Sequence, residues 1–158
     1  VIDLTDEFLQ PAIGTLRFWP AHLDSPVAGT WSISIPLAPF SADDEYDPAT
    51  YRPGTGGPEL VETEITLDFI TLPAEELTGL SRRSFPFPVN PAPRYIDGSI
   101  YLIAAHCPVN VTRIEFGPAT GDHIQATLDA SFDFAAAGGI DIHNRTATLT
   151  TTLQLKMD

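Results

Sequence analysis

The chain has 158 residues, is 43% hydrophobic and 18% charged, and carries a formal net charge of −13. That length suits one domain with a self-sufficient core, and the composition is globular rather than disordered. No apolar run nears the ~20 residues of a membrane helix. The first residues, Val1 to Glu7, lack the basic and apolar regions of a leader, so none is expected there.

The charge is unevenly placed. Residues 1–80 hold 14 acids and 2 arginines, whereas residues 81–158 hold 7 acids and 6 basic residues. The two halves therefore carry −12 and −1. Such a field repels phosphate backbones and anionic lipid, so neither nucleic acid nor membrane is an expected partner. It attracts a basic protein partner or cations. The plainer account is that the acids keep the chain soluble. A single cysteine, Cys107, allows no intrachain disulfide and favours a reducing compartment. A cytoplasmic location is expected on that ground.

In chain order, Leu16, Phe18 and Trp19 mark a weak first strand, and Trp31, Ile33, Ile35 and Leu37 alternate with serines in a second. Residues 40–59 read as a long loop with Asp43-Asp44-Glu45, Asp47-Pro48, Pro53-Gly54 and Gly56-Gly57-Pro58. Loops of that length without secondary structure are uncommon and often functional. From Val61 to Phe69, Val61, Thr63, Ile65, Leu67 and Phe69 alternate with Glu62, Glu64, Thr66 and Asp68, which predicts a strand with an acidic wet face. Pro73 to Leu77, followed by Gly79, and residues 5–10 carry signals for one or two helical turns each. Residues 82–93 are proline-rich, yet Phe85, Phe87 and Val89 alternate, which fits an edge strand.

Asp97-Gly98 is a type I′ turn dipeptide, so residues 94–96 are expected to pair with residues 99–101. Residues 99–107 are almost all apolar and predict a strand buried on both faces. A change of phase between Val109-Val111 and Ile114-Phe116 predicts a bulge near Val111-Thr112. Gly117-Pro118 and Gly121-Asp122 bracket an expected six-residue connection. The two clearest strands follow. One alternates from Ile124 to Phe134, and the other runs from Ala147 to Met157 with threonines on its wet face. Gly138-Gly139 suits either a tight hairpin or a loop continuing to Arg145. The expected fold is all-β: an antiparallel sandwich or partly closed barrel of about seven to eight strands, one domain, ending in a meander.

Chemical motifs are sparse. His106 and Cys107 are neighbours on a strand and point to opposite faces, so His106 cannot serve Cys107 as a base. His22, His106, Cys107, His123 and His143 show no zinc spacing, and Asp43-Asp44-Glu45-Tyr46-Asp47 does not match a calcium loop. No nucleophile elbow, P-loop, dinucleotide fingerprint or zincin helix occurs. No enzyme activity, metal or cofactor is expected. Arg82, Arg83, Arg94 and Arg113 form one basic spot, better assigned to pairing with the chain's own acids than to a ligand.

These features point to a non-enzymatic binding protein that recruits a protein partner through its acidic half. The contact expected from sequence is the long loop: Asp43, Asp44, Glu45, Tyr46, Asp47, Tyr51 and Glu59. Bacterial immunity proteins, which neutralise toxins that are often basic nucleases, share this profile. An arginine-rich, lysine-poor composition points the same way, to a G/C-rich bacterial source. The competing readings are a structural or assembly subunit, a glycan or small-ligand carrier with its site inside a barrel or on the Trp19/Trp31 surface, and an enzyme whose site the sequence hides.

Overall fold

The computed structural model describes residues 4–40, 61–102, 105–137 and 142–157. It is nearly all β. The strands are β1 (Gly14–Phe18), β2 (Trp31–Pro36), β3 (Glu64–Ile70), β4 (Ser84–Pro86), β5 (Asp97–Leu102), β6 (Ala105–Thr120), β7 (His123–Phe132) and β8 (Arg145–Leu155). The helical elements among the described residues are single 3₁₀ turns at Asp6–Phe8, Leu77–Gly79 and Ala135–Ala137.

Seven strands close into a barrel in the order β6-β5-β3-β2-β1-β8-β7, with β7 pairing back onto β6. The sandwich alternative gives way to closure, because β6 is long enough to be paired on both edges. Its first half pairs with β5, its second half with the outside strand β4, and its other edge with β7. All contacts are antiparallel except β1 with β8, which is parallel. The last three strands form the expected meander.

The interior follows from side-chain alternation. Leu16, Ile33, Ile35, Ile65, Leu67, Ile100, Val109, Ile114, Leu128 and Leu153 all point inward and are buried. Two caps complete the core. Leu4 and Leu9 are buried where β2 ends and β8 begins, with the Phe8 and Phe40 rings 5.3 Å apart. At the other end Leu72, Leu77 and Leu80 are buried, and the Trp31 indole donates to the Ala74 carbonyl at 2.9 Å. Trp31 is thus a core residue, which withdraws it from any surface for glycans.

Several sequence expectations need correction. Asp97-Gly98 is no turn but the start of β5, paired with Asp68 and Leu67 on one side and, at Gly98, with Val109 on the other. The glycine serves a close approach: a Cβ at Gly98 would lie 2.2 Å from the Val109 carbonyl oxygen. Residues 99–107 are not one doubly buried strand. They belong to the β5–β6 hairpin, in which Leu102 faces Ala105 and Tyr101 faces His106. Tyr101 is 60% exposed. Two short adjacent strands mimic one long apolar run when their joining residues are themselves apolar.

The six-residue connection after β6 is also replaced. β6 continues to Thr120, which faces His123 across a two-residue turn at Gly121-Asp122. Gly121 takes φ +60 there, and the Gly117-Pro118 pair instead marks a register shift between Phe116 and Ala119. The bulge between Val111 and Arg113 is where the phase change placed it. On β3 the alternation fails at its end. Phe69 adopts φ +59 and is partly exposed, while Ile70 becomes the buried residue opposite Trp31. The register shift between Trp31 and Ile33 absorbs the one extra residue on β3. The helical turn expected from Pro73 to Leu77 sits later, at Leu77–Gly79.

The two glycines separate two kinds of constraint. Gly98→Ala is expected to lower stability by about 3 kcal/mol, because the new methyl meets a backbone atom that cannot swing away. Gly121→Ala meets nothing within 4 Å and suffers only the left-handed backbone penalty, about 1 kcal/mol. Gly121→Asn should recover part of that, since asparagine tolerates the left-handed region. Urea denaturation midpoints of the three variants check the ordering.

Candidate functional site

The expected contact residues Asp43, Asp44, Glu45, Tyr46, Asp47, Tyr51 and Glu59 lie outside the described residues, as does the Gly138-Gly139 pair. What the structure defines is the root from which residues 41–60 depart. Phe40 and Val61 exchange two backbone hydrogen bonds, at 3.2 and 2.6 Å, and form an isolated antiparallel bridge. The Phe40 side chain is buried in the core. The acidic segment thus begins and ends at one fixed point on the barrel.

Beside that root, Pro36, Glu62, Glu64, Thr66, Ser99 and Tyr101 line a shallow groove of about 430 Å³ on the outer face of β2, β3 and β5. Alternation along β3 puts Glu64 and Thr66 outward, because Ile65 and Leu67 are committed to the core. Glu62 and Glu64 are both exposed, as their place on the wet face implies. Neighbouring strands hold these groups in place. The Ser34 hydroxyl donates to Glu64 Oε2 at 2.7 Å, and the Thr63 hydroxyl donates to the Tyr101 carbonyl at 2.6 Å. The Tyr101 ring stands edge-on to His106 at 5.5 Å. The groove is therefore an exposed aromatic flanked by two carboxylates. Glu62 and Glu64 were visible in the sequence as wet-face acids; Tyr101 was hidden inside an apolar run.

A second polar chain crosses the same outer face. The Trp19 indole donates to the Ser32 hydroxyl at 2.8 Å, and Ser32 donates to Asp68 Oδ1 at 2.8 Å. The Arg17 guanidinium sits 4.0 Å from the Trp19 ring centroid. Trp19 is thereby held by its indole N–H and by a cation over its ring.

Two arginines of the basic spot have partners within the chain. Arg83 donates to the Gly79 carbonyl and lies over the Phe85 ring, and Arg113 bonds the Ser84 hydroxyl and pairs with Glu115 at 3.5 Å. Among the described residues no group of three His, Cys, Asp or Glu side chains converges on a metal position. Asp122 and His123 are 2.6 Å apart at the β6–β7 turn, and Asp129 and Asp133 accept bonds from Thr148 and Asn144 respectively.

Cys107 is fully buried and faces inward, while His106 faces outward. Burial pushes its thiol above the ordinary value of 9.0, and the negative charge of Asp133 adds to the effect. The folded chain therefore favours the protonated thiol. Its contribution to stability is complete below the unfolded pKa and is lost as pH rises towards the folded one. Wild-type stability should fall more steeply above pH ~9 than that of Cys107→Ala, which lacks this titration. Parallel denaturation curves at neutral and alkaline pH test this. Thiol labelling at neutral pH should be slow until the protein opens.

No protein-family model, no curated protein and no solved structure matches the chain.

Proposed function

We propose that this chain is a non-enzymatic binding protein that recruits a basic protein partner through its acidic N-terminal half. The observation that carries the reading is Tyr101, exposed in a groove between Glu62 and Glu64 at the root of the acidic segment. A tyrosine supplies contact area with a polar tip at small entropic cost, and surrounding carboxylates speed encounter with a basic surface. In sequence, Asp43, Asp44, Glu45, Asp47 and Glu59, with Tyr46 and Tyr51 among them, fall between Phe40 and Val61. An immunity-type role, in which the partner is a basic toxin, fits the same charge and size. The surface form of the carrier reading loses Trp31, which is buried and bonded to Ala74.

A photo-cross-linking amino acid placed at Tyr101 identifies the partner in extracts of the native organism, and kinetics with the purified partner then divide the roles. Glu62→Gln with Glu64→Gln should slow association, and added salt should weaken wild type more than this variant. Tyr101→Ala should speed dissociation about tenfold, equivalent to ~1.4 kcal/mol. Association unaffected by both the charge change and salt rules out steering. The same experiment on Asp43, Asp44, Glu45 and Asp47 apportions the effect between groove and loop.

A further inference from the structure

The barrel is not closed along the whole of its last strand. β8 pairs with β7 from Arg145 to Gln154 without a register shift. On its other edge it meets β1 only through Gly14–Leu153, Thr15–Gln154 and Leu16–Leu155. Upstream of Gly14 the chain turns away to follow the segment after β2. Ala12 N–H donates to the Pro36 carbonyl and Ala38 N–H to the Gln10 carbonyl, both at 2.8 Å. Side chains then bridge a widening seam. The Thr151 hydroxyl reaches the Ala12 carbonyl at 2.6 Å. Farther along, the Arg145 guanidinium reaches the Leu4 carbonyl at 2.6 Å and also the Asp6 carboxylate. The gap grows from the reach of a threonine to the reach of an arginine, and the groove there has a volume of about 780 Å³.

The backbone of β8 is aimed into this seam. In an antiparallel ladder each residue directs its N–H and C=O to the same side, and successive residues alternate. Leu155 N–H donates to Asp122 beside β7, whereas Lys156 N–H donates to Leu16 on β1. Counting back along the unshifted register, odd residues serve β7, and Thr146, Thr148 and Thr150 direct their backbone groups into the seam. Among the described residues no backbone hydrogen bond meets them from that side, and of the side chains the Arg145 Nε donates to the Thr146 carbonyl at 3.2 Å. Edge strands usually carry protection. The outside strand β4 has it, being three residues long and ending at Pro86. This stretch of β8 has no proline, no bulge and no charge, and it spans about 15 Å.

We propose that the seam takes an extended peptide segment of a partner protein, bearing lysine or arginine, which adds to the edge of β8 that faces the seam. Backbone hydrogen bonds to Thr146, Thr148 and Thr150 supply the attachment, and β-branched threonines are good cross-strand neighbours. Charge selects the occupant. Asp6 and Asp129 line the groove, and its lining cation, Arg145, already holds Asp6 and the Leu4 carbonyl. A polar small ligand is less well served, since the Thr148 hydroxyl is bonded to Asp129 and the Thr150 hydroxyl to Thr127. A second copy of the chain would bring another −13 to the seam. This seam is separate from the groove at Tyr101, and neither assignment rests on the other.

Amide hydrogen exchange on the full chain tests the proposal, using a blocked heptapeptide alternating lysine with threonine and its glutamate counterpart. In the free protein the Thr146, Thr148 and Thr150 amides should exchange quickly, while Ala147 and Leu149, bonded to β7, stay protected. Saturating lysine peptide should slow the three threonine amides about tenfold or more, and the glutamate peptide should not. Thr148→Pro removes the N–H aimed at the seam together with the hydroxyl bonded to Asp129, and should abolish binding with the circular dichroism spectrum kept; Thr148→Val, which loses the hydroxyl alone, should still bind. The proposal is overturned by protected threonine amides in the free protein, by no response to the lysine peptide, or by equal response to both peptides. It is equally overturned by loss of binding in Thr148→Val, or by protection that tracks dimer formation in sedimentation. Should Thr148→Pro fail to fold, the wild-type exchange pattern still decides.

Discussion

A sheet closed on itself leaves no row of unpaired backbone groups, and in this chain that closure hangs on one parallel contact between the first strand and the last. Three residue pairs, from Gly14–Leu153 to Leu16–Leu155, join β1 to β8. The other strand contacts in the ring are antiparallel, and the meander β6–β7–β8 is local in sequence. The β1–β8 contact instead joins segments almost a full chain length apart, and its loop-closure entropy is correspondingly large. Interior packing supports it: Leu16, Leu153 and Ile35 are all buried around the join.

The two caps and the two grooves follow from how that ring is finished. The N-terminal segment cannot continue pairing with β8, because residues 10–12 are drawn to the segment after β2. It crosses the barrel end instead, burying Leu4 and Leu9, and Arg145 ties it down. The same divergence that closes the barrel end opens the seam beside it. On the far side of β2, the Phe40–Val61 bridge leads the described chain back towards β3, next to Glu62, Glu64 and Tyr101. Surface chemistry is thus placed by points where strand pairing starts or stops.

The outer face of β2 and β3 shows why so many polar residues on a barrel do no visible chemistry. Ser32, Ser34, Asp68 and Glu64 satisfy one another and hold Trp19. Hydrogen bonds between exposed groups of this kind contribute modestly to stability. Their effect here is to hold the side chains beside the groove in one arrangement, which reduces the ordering cost of any association.

Strict alternation from Ile124 onward and from Ala147 onward was enough to identify β7 and β8, because one face of each is committed to the core and the other to water. The phase change at Val111-Thr112 located the bulge on the same principle. The all-β class and the acidic imbalance were likewise legible in the residues alone. Local patterns could not report which strands would approach closely enough to exclude a side chain, so Gly98 read as a turn when it is a contact with Val109. Nor could they separate the two strands within residues 99–107, and Tyr101 stayed hidden there. Barrel rather than sandwich, the parallel join of β1 to β8, and the grooves at Tyr101 and Thr148 were decided only in three dimensions. Alternation specifies which face a residue turns to the core, but pairing between distant strands is settled by packing and backbone hydrogen bonding across the whole ring.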